Sequence, residues 1–180
     1  MKHDDIHIIK EVLGGKSEQF EHILNRYSEY VFNLIAHIIP CKEDAEELTQ
    51  DVFIKAFRQL SSFKEESCFS TWIYRIATNT ALSAARKMKH DTLHLDDAAY
   101  SNIPEEIIDE ALDNDSEEQL QRLSDAIEML RADERALITL YYMNEKPVAE
   151  VASVLGLTAS NVKIKLHRIR KKLYLILNDL

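Results

Sequence analysis

The sequence predicts an all-α protein: two small helical domains joined by an acidic linker, the second domain a helix-turn-helix. Three observations predict it. Only three glycines and three prolines occur in 180 residues, too few for the many tight turns of an all-β chain. Hydrophobic residues make up 46% of the chain, enough for a buried core, and they recur at helical spacing. Charge is segregated: residues 1–89 carry 12 basic and 13 acidic side chains, residues 90–118 none and 11, and residues 119–180 carry 10 and 7. The net charge of −9 therefore resides almost wholly in the middle segment.

Taken in order, residues 4–14 suggest a short opening helix. Phe20, Ile23, Leu24, Tyr27, Val31, Leu34, Ile35 and Ile38 then form an apolar stripe that Pro40 closes. A second long helix is expected from about Glu43 to Leu60, with Ala45, Leu48, Val52, Phe53 and Ala56 on one side. The polar stretch SSFKEESCFS follows as a loop, and a helix from about Thr71 to Lys89 carries Ile73, Ile76, Ala77 and Ala81. Residues 90–118, acidic and interrupted by Pro104, read as the linker. Beyond it, Leu120, Leu123, Ile127 and Leu130 share one helix and Leu137, Ile138 and Tyr141 the next, before two further helices at 147–155 and 159–177. The expected domains are residues 1–89 and 119–180.

No apolar run approaches the roughly 20 residues that span a bilayer, and the start lacks a signal-peptide core. A soluble, cytoplasmic protein is expected. Cys41 and Cys68 suit a reducing compartment and supply neither a disulfide framework nor a zinc set. His3/His7 and His90/His94 have the i,i+4 spacing of helical metal ligands but no cysteine nearby, so no metal and no cofactor is expected. No phosphate-cradling glycine loop and no nucleophile with a positioned base occurs, so enzymatic chemistry has no support.

The segment PVAEVASVLGLTASNVKIKL has the spacing of a helix-turn-helix. Pro147 suits a first helical turn, Ala152 a close helix crossing, and Gly156 a turn that needs positive φ. Thr158 or Ser160 can cap the second helix, and Val162 plugs the core. At 100° per residue, Leu166, Ile169 and Leu173 join Val162 in a buried stripe. Ser160, Ile164, His167, Arg168 and Lys171 then project to the opposite side, with Lys163, Lys165, Arg170 and Lys172 on the flanks. That is the arrangement of a major-groove helix: base-reading groups in the middle, phosphate-neutralising cations on either side. A solvated basic face is the plainer reading of any lysine-rich helix, and the turn spacing upstream argues against it.

Together with this unit, DAEELTQDVFIKAF (44–57) and FSTWIYRIATNTALSAARK (69–87) resemble a bacterial RNA polymerase sigma factor of the extracytoplasmic-function group. Residues 20–89 resemble its region 2 and 120–175 its region 4. The resemblance implies a promoter-specificity subunit that is not itself an enzyme. Its first domain would dock on the β′ coiled coil of core polymerase through Asp44, Glu47, Leu48, Gln50, Asp51 and Phe53. An acid-rich helix start is otherwise what the helix dipole favours. Lys64, Ser67, Phe69, Ser70, Arg75 and Asn79 would capture the −10 strand with one base flipped, and Trp72 and Phe63 are expected in the core. The second domain would read −35 duplex DNA through Ser160, Lys163, Ile164, Lys165, His167, Arg168 and Lys171, and contact the β flap. The resemblance further implies an anti-sigma partner. The family's commonest Pro-x-Gly-Thr-Val lead-in is replaced here by Thr158, Ala159, Ser160, Asn161 and Val162. The rival readings are a free-standing helix-turn-helix regulator and a sigma-like protein that only sequesters partners.

Overall fold

Helices account for the secondary structure of the described residues, 2–88 and 117–179, in the computed structural model; no strand occurs among them. The first domain holds α1 (Lys2–Leu13), α2 (Phe20–Ala36), α3 (Lys42–Arg58) and α4 (Phe69–Lys87). The second holds α5 (Glu117–Glu128), α6 (Ala132–Ile138), α7 (Val148–Leu155) and α8 (Ala159–Asp179). The expected linker lies outside the described residues up to 116, and its last two residues, Glu117 and Glu118, already belong to α5.

In the first domain α2, α3 and α4 pack mutually, and α1 lies on α2 and α4. Ile23, Val31, Leu34, Ile35, Val52, Ala56, Ile73 and Ala77 are fully buried between them. Leu24, expected in that stripe, is 36% exposed; it turns into an open groove between α2 and α3. Helix α2 stops at Ala36, one turn before Pro40, because the chain tightens at His37–Ile39 and buries Ile38 and Ile39. Gly15, at φ 103, ends α1 in a conformation that costs glycine little. Asp5, 4% exposed, then locks α1 to α2: it pairs with Arg26 and accepts the Tyr27 hydroxyl at 2.7 Å. Burial, then that bond to Asp5, push the Tyr27 phenol well above its ordinary range.

The second domain is held by α8, which packs on α5, α6 and α7. Val162, Leu166, Ile169 and Leu173 are all buried, as their helical phase predicts. Gly156 takes φ 66 and the Leu157 amide donates to the Ala152 carbonyl at 2.9 Å, closing α7 with the left-handed turn that the motif requires. Thr158 is the cap: its Oγ1 accepts the Asn161 amide at 3.2 Å. Helix α6 widens into a π-helical turn at Thr139–Met143. Leu120, expected in the core, is 54% exposed at the start of α5.

The two domains touch. Helix α4 packs against α6 and α7, so the tethered arrangement implied by the charge pattern is closed in the structure.

Candidate polymerase and promoter surfaces

The docking candidates divide between two faces of α3. Asp44, Glu47, Leu48 and Asp51 follow one another at i, i+3, i+4 and i+7 along one edge, Asp44 and Leu48 half-buried, Glu47 and Asp51 exposed. Gln50 is exposed on the other side, and Phe53 is 6% exposed at the back of the α2–α3 groove. That groove, about 470 Å³ and nearly all apolar, is walled by Phe20, Leu24, Ile54 and Phe57. Phe20 and Phe57 meet edge-to-face at 5.1 Å. An exposed acidic edge beside an apolar slot is a surface that can accept charge-assisted bonds from cations and anchor large side chains. Phe53 contributes to that slot from a largely buried position.

Helix α4 presents Arg75 and Asn79 one turn apart, both exposed. The structure adds companions to Asn79: Thr80, Ser83 and Lys87 line the same groove, about 510 Å³, with Leu48, Asp51 and Lys55 of α3. Lys55 donates to Thr80 Oγ1 at 3.2 Å. Residues assigned to two different tasks, Asp51 and Asn79, thus share one groove. Lys55 was missed by the sequence reading; its position one turn after Asp51 was the available signal.

Phe69 is corrected. It is 2% exposed, with rings of Tyr27, Phe63 and Trp72 at 5.6, 5.5 and 5.4 Å. Opening α4 at its first turn, it drops its ring into the junction of helix and loop, away from the surface. Phe63 and Trp72, expected inside, are only half-buried and form the outer wall of that cluster. Ser67 and Ser70 are half-buried and Lys64 is exposed on the loop. Glu65 holds φ 59 there, a left-handed conformation uncommon for glutamate, beside Lys10 at 3.4 Å.

On α8 the expected reading face is open at its first half. Ser160, Lys163, Ile164 and Arg168 are exposed, Ile164 by 51%. Lys165 and His167 are half-buried, and Lys165 lies 3.6 Å from Asp133 of α6. Lys171, expected on the open face, is 8% exposed, although it stands opposite Val162 in phase. Helix α5 packs along α8, with Arg122 donating to the Leu177 carbonyl at 2.6 Å. Lys172, expected on a flank, is 4% exposed and bound to Glu134 at 2.8 Å. The usable cationic face therefore ends near Arg168 and Arg170.

Among the described residues no group of three metal-ligating side chains gathers, and no helix is long and apolar enough to cross a membrane. Lys89, His90 and His94 lie outside the described residues.

The family model for Sigma-70 region 2 matches residues 23–90 and that for Sigma-70 region 4 matches residues 120–173, together about two thirds of the chain. The chain is 29% identical to the ECF RNA polymerase sigma factor SigW of Bacillus subtilis (strain 168), across 96% of each protein. It is 29% identical to the ECF RNA polymerase sigma-E factor of Escherichia coli (strain K12), across 91% of this chain and 89% of that one. Its fold is similar to that of CnrH in complex with the cytosolic domain of CnrY, with TM-score 0.67 at 20% identity over 96% of each chain. It is similar also to the sigma factor RpoE in complex with the anti-sigma factor NepR from Bartonella quintana, with TM-score 0.65 at 23% identity, covering 89% of this chain and 98% of that one. With both regions matched in order and relatives aligned nearly end to end, the chain belongs to the sigma-70 family, among the RNA polymerase sigma factors of the ECF group.

Proposed function

We propose how this chain, a promoter-specificity subunit by family, divides its labour. The first domain docks on core RNA polymerase through the α3 edge of Asp44, Glu47, Leu48 and Asp51, with Gln50 and the α2–α3 slot as a second contact. Arg75 and Asn79 on α4, with Lys64, Ser67 and Ser70 at its start, take hold of the opened −10 strand. The second domain reads −35 duplex through Ser160, Lys163, Ile164, His167 and Arg168, and turns its other side to the β flap. Polymerase supplies the catalysis. The domain limits 1–89 and 119–180, and the acidic stretch between them as tether, belong to the same proposal.

The observation that carries the proposal is the α7–Gly156–α8 unit. Its left-handed turn, its Thr158 cap and its buried Val162 stripe leave Ser160, Lys163, Ile164 and Arg168 exposed on α8, as a groove-reading helix would require. A free-standing regulator would need only that unit, and would leave the acidic edge of α3 and the α3–α4 groove without a purpose. The similar fold of the sigma factor RpoE, solved in complex with the anti-sigma factor NepR, supports an anti-sigma partner here also.

Run-off transcription with purified core polymerase tests the proposal. Promoter-dependent initiation is expected, and its absence on every genomic fragment tried would overturn it.

A further inference from the structure

Three large apolar side chains left exposed in the first domain, Leu24, Ile54 and Phe57, share the α2–α3 slot. Ile164 has no such company. Among the described residues of α8 it is the one large hydrophobic side chain left exposed, by 51%, and its neighbours on that face are Ser160, Lys163 and Arg168. It stands two positions past the fully buried Val162, about 200° around the helix, so it points almost straight away from the core. Single exposed apolar residues are ordinary on protein surfaces. This one sits where burial offers it nothing, and its branched Cβ makes it a poorer helix former than the lysines beside it. Local structure gives no reason for isoleucine at this position.

The chemistry of the groove supplies one. Isoleucine carries no donor or acceptor, so it cannot pair with the polar edges of bases. The one apolar group that a base pair presents in the major groove is the thymine C5 methyl. Against cytosine N4 or guanine O6 the same side chain would strip water and return no hydrogen bond, which is unfavourable. It therefore discriminates twice, by contact with a methyl and by a penalty elsewhere. Position supports the contact. Ile164 lies in the second turn of α8, within the N-terminal part of a recognition helix that reaches base edges. Ser160, Ile164 and Arg168 follow one another about 6 Å apart along the axis, close to two base-pair steps of about 3.4 Å.

We infer that Ile164 is a specificity-determining residue: it packs on the C5 methyl of one thymine in the −35 duplex and sets a preference for an A·T pair there. This rests on the −35 reading proposed above. The preferred thymine lies about two steps from the base beside Arg168.

A deoxyuridine scan tests it. Deoxyuridine pairs as thymine does and lacks only the C5 methyl. Holoenzyme assembled from the full chain and core polymerase is titrated onto a promoter that supports run-off transcription, each −35 thymine of either strand being replaced in turn. Removing one methyl should weaken wild-type binding roughly threefold to fivefold, the worth of about one buried methyl group, while the other replacements change little. Ile164→Ala, an exposed site given a good helix former, should fold as the wild type does. It should bind the thymine duplex more weakly by a similar factor and become indifferent to that one replacement. Lys163→Ala should weaken binding to every duplex and keep the deoxyuridine effect. An effect of the missing methyl on DNA shape would persist in Ile164→Ala. Equal responses of wild type and Ile164→Ala to every replacement, or no wild-type response to any, would overturn the methyl contact. Arg168→Ala separates this from the −35 reading itself. If it still weakens binding, that reading stands without the methyl contact; if none of the three α8 variants weakens binding, the reading falls as well.

Discussion

Helices α4 and α8 are nearly equal in length, 19 and 21 residues, and both present side chains to nucleic acid in the proposed function, yet they are built differently. Helix α8 buries one stripe, Val162 to Leu173, and leaves a broad cationic face open at its first half. Helix α4 is committed on two sides. Phe69, Ile73, Ala77 and Ala81 face its own core, Thr71 and Tyr74 meet the other domain, and Arg75 and Asn79 remain exposed. Tyr74 is shut in enough that burial, and then the nearby Tyr30 and Glu150, push its phenol up to about 12. Duplex reading is served by many cations around a single buried stripe. In the proposed function, strand capture falls to a few exposed groups on a helix that is otherwise structural.

The largest effect that can break this contrast is at Phe69. Phe69→Ala should destabilise the protein by about 3–5 kcal/mol, read as a lower urea midpoint, because it empties the centre of a four-ring cluster. If stability were unchanged while binding to a −10 single strand fell, Phe69 would be a stacking platform after all and α4 would resemble an exposed reader. Arg168→Ala comes next. An expected loss of about 1–3 kcal/mol should appear as roughly 5–150-fold weaker initiation at a −35-dependent promoter. Initiation that relies on the −10 element alone should be spared, which separates α8 from α4. Asp51→Ala should weaken assembly with core by about tenfold, as loss of one charge-assisted bond at an exposed edge. Because Asp51 shares its groove with Asn79, the same variant should also be assayed for −10 strand binding; unchanged strand binding keeps the two tasks distinct.

The same contrast explains what could be read from the sequence. Helical phase placed Val162, Leu166, Ile169 and Leu173 inside correctly, because a helix packed on one side obeys its own period. Phase failed at Lys171, which is buried although it stands opposite Val162, because one helix carries no signal of what packs on its far side. Phe69 misled for a related reason. A motif places the residue at the start of α4, but only the crossing of α2, marked by Tyr27 at 5.6 Å, decides that its ring turns inward. The turn at Gly156 was legible because its φ demand is local. The α4–α7 contact was not. It joins Thr71 to Glu150 across 79 positions by polar groups that look like ordinary surface residues.

Lys163 and Lys171 give the smallest and most discriminating test. Both lie on α8 and both were expected to face DNA, yet Lys163 is exposed while Lys171 is 8% exposed. A lysine that neutralises a phosphate releases counterions, so its removal lowers the slope of log affinity against log salt by about one. Lys163→Ala should show that change uniformly across duplex sequences, whatever the −35 bases. Lys171→Met keeps the length and volume of the buried stem and removes only the charge. It should leave the salt slope within error of the wild type, because an enclosed ammonium contributes no phosphate contact. A slope reduced equally by both variants would mean that Lys171 becomes exposed when DNA binds. The reading face would then be one turn longer than the closed structure displays.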